Sequence, residues 1–171
     1  QRQMCIRDRP TVAALPGAAA GAGLAIVLCC DFRIAGQKAF ASTGYANIGL
    51  SGDYGIAWLL TQVVGPAQAR ALMLLGDRVN AEESVRLGLF NEVVEDETLP
   101  AAAMALAVRL AAGPSAAYAA IKKNLDDALT IDHHTAINRE AERLAECRQT
   151  DDYREAIKAF AEKRAPNFRG R

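Results

Sequence analysis

The stretch Thr11-Val12-Ala13-Ala14-Leu15-Pro16-Gly17-Ala18-Ala19-Ala20-Gly21-Ala22-Gly23-Leu24 decides how the chain is read. Its first five residues make a short β-prone run, and Pro16-Gly17 is the turn signal that ends it. Small residues fill the next six positions. Leu24 to Cys30 is apolar, and Asp31-Phe32-Arg33-Ile34-Ala35 reads as another short strand. Strand, glycine-rich turn, helix, strand is an α/β unit. The turn also has chemical consequences. Side chains no larger than a methyl group at Gly21-Ala22-Gly23 let a ligand atom approach the backbone, and the first N–H groups of a following helix are donors for an anion. A phosphate or an enolate oxygen fits such a place. So does plain tight packing, and the turn alone does not choose between them. Position 26 is Ile, so G-x-G-x-x-G is not completed and a dinucleotide-binding fold is disfavoured.

Downstream, Ala39 to Leu50 is weakly patterned and Ser51-Gly52-Asp53-Tyr54-Gly55 is a turn. Ile56 to Val64 has a helical apolar pattern stopped by Gly65-Pro66. Ala67 to Leu75 is helical with Gly76 as its stop. Asn80-Ala81-Glu82-Glu83 reads as a capping box that opens a helix ending at Gly88. Leu89 to Val94 reads as a strand. The remainder is helical: Leu99 to Ala112, Ser115 to Leu129, about Thr135 to Gln149, and Asp151 to Lys163. The third of these carries Ile137, Ala141, Leu144 and Ala145 on one face. Residues 1–9 show no helical or strand period and read as a leader foreign to the rest. The expected organisation is therefore that leader, an α/β part over 10–98 and a helical part over 99–171.

The whole has 171 residues, enough for one domain with its own core. Twenty basic residues balance twenty acidic ones, which argues against nucleic acid or a membrane surface as partner. No apolar run reaches the roughly 18 residues of a membrane span. Cys5, Cys29, Cys30 and Cys147 have no metal-ligand spacing and read as reduced thiols of a cytoplasmic protein. No metal site is expected.

Among residues that carry chemistry, Asp53 stands at a loop tip that opens a helix. Asp between glycines favours turns in any case; the sharper reading is a carboxylate placed to move protons. His133 and His134 are adjacent and read as a solvated helix start. Ser42 and Thr43 lack G-x-S-x-G context, which disfavours a hydrolase nucleophile. Lys122-Lys123 and Lys163-Arg164 read as solvated faces, with phosphate contact as the alternative.

Together these pieces resemble the crotonase (enoyl-CoA hydratase/isomerase) superfamily. The opening stretch is similar to its core motif, and Cys30-Asp31-Phe32-Arg33-Ile34-Ala35 to its CDxRIA strand. Ile48-Gly49-Leu50, Val64 to Arg70, Gly76 to Glu83, Gly88 to Val94 and Phe160 to Gly170 follow in the family's order. The resemblance covers about Pro10 to Arg171. It implies an α/β fold, a spiral of ββα units whose N-terminal units are missing here, followed by a helical region used in trimerisation.

The resemblance further implies an acyl-CoA substrate, with coenzyme A part of the substrate and no separate cofactor. It implies a homotrimer or hexamer. Two backbone N–H groups would hold the thioester oxygen of an enolate; one falls at Ala22, between Gly21 and Gly23, and the other lies upstream. The two glutamates of the family's hydratases would stand at positions occupied here by Ala25 and Tyr45. In isomerase-type members, such as the phenylacetate-pathway branch, an Asp in the turn matched by Asp53 is the acid/base. Pro16 stands where Asn is usual, and Ile56 replaces a second glycine. Phe160 and Lys163 match positions that contact the CoA adenine and phosphate. The reading is thus enoyl-CoA isomerisation with Asp53 as acid/base. Hydration, carboxylate attack by Asp53, and an inactive binding or assembly subunit are the rivals.

Overall fold

The first four strands enter two sheets in alternation, as seen in a computed structural model that describes residues 8–170. β1 (Val12–Leu15) joins one sheet and β2 (Ala18–Ala20) the other, and helix α1 (Ala22–Leu28) follows. β3 (Phe32–Gly36) returns to the first sheet beside β1, and β4 (Phe40–Ser42) to the second beside β2. After a 3₁₀ turn at Ala46–Ile48 comes α2 (Ile56–Leu75). β5 (Val79–Asn80) pairs antiparallel with β4, α3 (Ala81–Arg86) follows, and β6 (Glu92–Val94) closes the first sheet. The orders are β1-β3-β6 and β2-β4-β5. Each ββα turn lays one strand on each sheet, which is the spiral the sequence implied.

The register has local causes. Ala18↔Phe40 to Ala20↔Ser42 is parallel, although alanine by itself favours helix; pairing decides the conformation there. The Asp31 carboxylate joins the starts of β1 and β3. Its Oδ2 accepts from the Thr11 amide at 2.6 Å and the Thr11 hydroxyl at 2.9 Å. Arg33 is buried, and its guanidinium donates to the carbonyls of Leu89 at 2.7 Å and Cys30 at 2.6 Å. Burial lowers its pKa, but the two carbonyls satisfy donors that would otherwise be stranded. The CDxRIA segment is therefore a structural clamp. Beneath it Leu24, Leu28, Ile56, Leu60, Leu89 and Phe90 form the core, each worth about 1.5–3 kcal/mol when fully buried.

Several sequence expectations are met closely. α2 bends at Gly65, whose φ of 76° and ψ of 165° interrupt the helix just before Pro66. Asn80 caps α3 by accepting from the Glu83 amide at 2.8 Å. The capping box is only half made, because the Glu83 carboxylate pairs with Arg86 instead of returning to Asn80. The expected strand from Leu89 shortens to Glu92–Val94, since Leu89 and Phe90 are buried as core rather than paired.

The chain forms two compact units, residues 11–107 and residues 108–170 with 8–10. α4 (Leu99–Ala111) ends at the start of the second unit. That unit holds α5 (Ser115–Ala128), α6 (His133–Cys147) and α7 (Asp151–Ala161). Asp132 and Thr150 cap α6 and α7. Arg143 and Arg139 bind Asp127 at 2.6 and 2.9 Å, tying α6 to α5. Asp152, in the first turn of α7, is buried and accepts from the Arg169 and Gly170 amides at 2.6 and 2.9 Å. It pins the C-terminal tail to α7. Ile137 and Leu144, the expected apolar face of α6, are about half exposed. Of the leader read at 1–9, residues 1–7 lie outside the described residues.

Candidate functional site

Two turns and one ring make the site. The first turn begins at Gly21, with φ 50° and ψ −126°, a conformation a side chain disfavours. The Gly21 amide donates to the Ser42 carbonyl at 3.0 Å, fixing the turn to the end of β4. α1 starts at Ala22, so the amides of its first turn have no intrahelical acceptor. Behind them Leu24 and Ala25 are core residues. Ala25 is 1 % exposed, so the position matched to a hydratase glutamate is sealed in the interior.

The second turn carries Asp53. Gly52 has φ 117°, Tyr54 φ 51° and Gly55 φ 74°. This succession of positive dihedrals turns the chain into α2, and the Ile56 amide donates to the Asp53 carbonyl at 3.0 Å. The Asp53 side chain is exposed at this tip. The apolar side chains of Ile48, Leu50, Tyr54 and Trp58, from the same stretch of chain, are also half exposed or more.

The ring is Tyr45, only 7 % exposed. Its hydroxyl donates to Asp53 Oδ1. The same hydroxyl lies 3.6 Å from the point where a Cβ on Gly21 would stand. Burial first, and the hydrogen bond to Asp53 second, push its phenol up to about 12. Tyr45 thus spans from the carboxylate to the glycine turn. The sequence reading registered it only as a position without glutamate. The signal available was a tyrosine inside a buried run, because a buried phenol needs a partner.

Tyr45 therefore links Asp53 to Gly21, and Ala22 and Gly23 follow Gly21 as the first residues of α1. Phe160 and Lys163 belong to the helical unit, at the end of α7. Phe160 is 87 % exposed and Lys163 has φ 55°. Among the described residues no group of three or more His, Cys, Asp and Glu side chains is placed to hold a metal ion. No single described helix is long and apolar enough to cross a membrane.

A comparison with family profiles matches residues 1–171 to one described as Enoyl-CoA hydratase/isomerase. The 1,2-epoxyphenylacetyl-CoA isomerase of Escherichia coli is 37 % identical over 172 residues, 99 % of this chain and 65 % of that protein. The crotonyl-CoA hydratase of Syntrophomonas wolfei is 34 % identical over 161 residues, 94 % of this chain and 62 % of that protein. The crystal structure of an enoyl-CoA hydratase/isomerase from Cupriavidus metallidurans superposes with a TM-score of 0.93 at 38 % identity, covering 98 % of this chain and 63 % of the other. The chain thus spans 62–65 % of the length of these relatives.

Proposed function

Because the chain belongs to the enoyl-CoA hydratase/isomerase family, we propose that its site moves a proton on an acyl-CoA thioester, shifting a double bond with Asp53 as the acid/base. The observation that carries this reading is the carboxylate of Asp53, linked by Tyr45 to the turn at Gly21. Water addition by the two-glutamate route lacks its residues here: one position is the sealed Ala25, the other is Tyr45 itself.

The proposed chemistry follows from the parts. The Ala22 amide, preset by Gly21, points at charge that develops on the thioester oxygen. Gly21 and Gly23 keep side chains away from that oxygen. A second donor would come from outside this chain. Asp53 takes a proton from one carbon, and the electron pair passes into the dienolate. The proton returns to the carbon two positions along. Only protons move, so the reaction calls for no redox cofactor or metal. The CoA would meet Phe160 and Lys163, whose ammonium suits a phosphate. A homotrimer or hexamer in the cytoplasm is part of the same proposal. Exposed apolar residues of the helical unit, such as Leu125, Leu144 and Phe160, support the assembly.

The test uses the complete product of the reading frame that carries this chain. It is incubated with 3-enoyl-CoA in deuterated water, with and without Asp53→Asn, and followed by NMR. Double-bond migration is expected to fall by about 10²–10⁴-fold in the variant. Equal rates in both proteins would leave Asp53 a turn residue and favour hydration. Binding without any turnover would favour the assembly subunit.

A further inference from the structure

We infer that Tyr45 is a positioning residue: its hydroxyl holds Asp53 Oδ1, so that proton transfer runs through Oδ2 alone and the proton is carried from carbon to carbon rather than lost to water. This rests on the reading of Asp53 as the acid/base. An aspartate at an exposed loop tip has two equivalent oxygens and free rotation about its side-chain bonds. Tyr45 removes both freedoms. Its ring is buried and its hydroxyl is bonded to one named oxygen.

The anchorage of the ring is what makes it a fixed post. The Thr43 hydroxyl donates to the Leu72 carbonyl at 2.6 Å, and the Ser42 hydroxyl to the Gly76 carbonyl at 3.1 Å. The Tyr45 carbonyl accepts from the Ile48 and Leu50 amides at 3.1 and 2.9 Å. The backbone that bears the ring is therefore tied to the end of α2 on one side and closed into a turn on the other. The Gly21 amide is bonded to the Ser42 carbonyl in the same segment. One rigid piece of chain thus sets both the glycine turn and the carboxylate, and the Tyr45 ring is the spacer between them. A spacer of this kind holds an acid/base in a reactive geometry at the moment of transfer. The phenol remains protonated throughout. The C–H bond that breaks leaves its electron pair in the dienolate, and its proton on Asp53 Oδ2 until it is delivered to the second carbon.

The experiment again uses the complete reading-frame product with 3-enoyl-CoA in deuterated water. It compares wild type with Tyr45→Phe, Asp53→Asn, and position 45 carrying 4-methylphenylalanine or 4-aminophenylalanine. The methyl analogue fills the space of the hydroxyl without donating; the amino analogue donates from the same place. The expected result for Tyr45→Phe and the methyl analogue is a kcat lowered by about tenfold with KM little changed. Deuterium uptake per migration rises at least about threefold as the carboxylate turns toward solvent. The amino analogue restores the wild-type partition. Should Tyr45→Phe fail to fold, the two analogues decide the matter between them. A methyl analogue with wild-type kcat and wild-type partition overturns the role of Tyr45 while leaving Asp53 as acid/base. A wild-type protein that shifts no double bond overturns both together.

Discussion

The two turns of the site are built alike and, in the proposed reaction, used differently. Both rest on positive backbone dihedrals, at Gly21 in one and at Gly52, Tyr54 and Gly55 in the other. Both lead into helices, α1 and α2. The first offers backbone amides and keeps side chains out of the way. The second offers a side chain and needs an outside post to hold it. A backbone donor is positioned by the fold itself, whereas an exposed carboxylate is positioned only by what bonds to it. That difference explains why a tyrosine stands between them.

The sharpest way to break the pair is Gly21→Ala. Space is not the obstacle, since an added Cβ would meet the Tyr45 hydroxyl at 3.6 Å, an ordinary contact. The obstacle is φ 50° with ψ −126°, which costs a non-glycine residue on the order of 1–3 kcal/mol. The backbone relieves that cost by rotating, and the Ala22 amide turns with it. The expected outcome is a loss of about 10²–10³-fold in kcat, together with a lower urea midpoint. An unchanged kcat would remove the Ala22 amide from the mechanism. Asp53 is left intact, and its deuterium partition, read alongside kcat, reports whether the change at Gly21 reaches the carboxylate through Tyr45.

How much of this was legible in the sequence follows the same division. The strands at β1 and β3 were readable because Pro16-Gly17 and the run after Asp31 bound them. β2 and β4 were not, because Ala18–Ala20 has no intrinsic strand tendency and is extended only through its register with Phe40–Ser42. The break at Gly65-Pro66 and the Asn80 cap are local chemistry and were legible. The Asp152 anchor was not, since its partners stand at Arg169 and Gly170. In the site, the small residues at 21–23 and the turn at Asp53 were visible. Their connection was hidden, because the Tyr45–Asp53 bond depends on a loop path through Gly44, Gly49 and Gly52, all at positive φ. Local propensity marks such glycines as turns without saying which side chains the turns bring together.

A second, smaller effect sharpens the comparison from the Tyr45 side. Its phenol is raised from 10.0 to about 12 in the folded chain, by burial and then by Asp53. Below about pH 10 the phenol is neutral in both folded and unfolded states, and this contribution to stability is fully present. Between about 10 and 12 the unfolded chain ionises first, so the contribution is lost as pH rises. The loss amounts to at most about 3 kcal/mol. Urea midpoints of wild type and Tyr45→Phe measured at pH 8 and pH 11 should therefore converge at the higher pH. Parallel curves would mean that Asp53 and the core do not hold the phenol in its neutral form.

The smallest expected effect lies at Tyr54, the one side-chain-bearing residue at positive φ in the second turn, φ 51°. An L residue in this region carries a strain of roughly 1–2 kcal/mol that glycine does not. Glycine, however, adds about 0.5–1 kcal/mol of conformational entropy to the unfolded chain. The two nearly cancel, so Tyr54→Gly should move the urea midpoint by less than the equivalent of about 1 kcal/mol, toward stability. Its effect on turnover separates two uses of the turn. If Tyr54 only shapes the backbone, kcat and KM both hold, since glycine keeps the same dihedrals. If its half-exposed ring also lines the acyl chain, KM rises while kcat and the deuterium partition stay at wild-type values. A fall in kcat with altered partition would instead show that Asp53 is aimed by its own turn as well as by Tyr45, and the division of labour between the two turns would no longer hold.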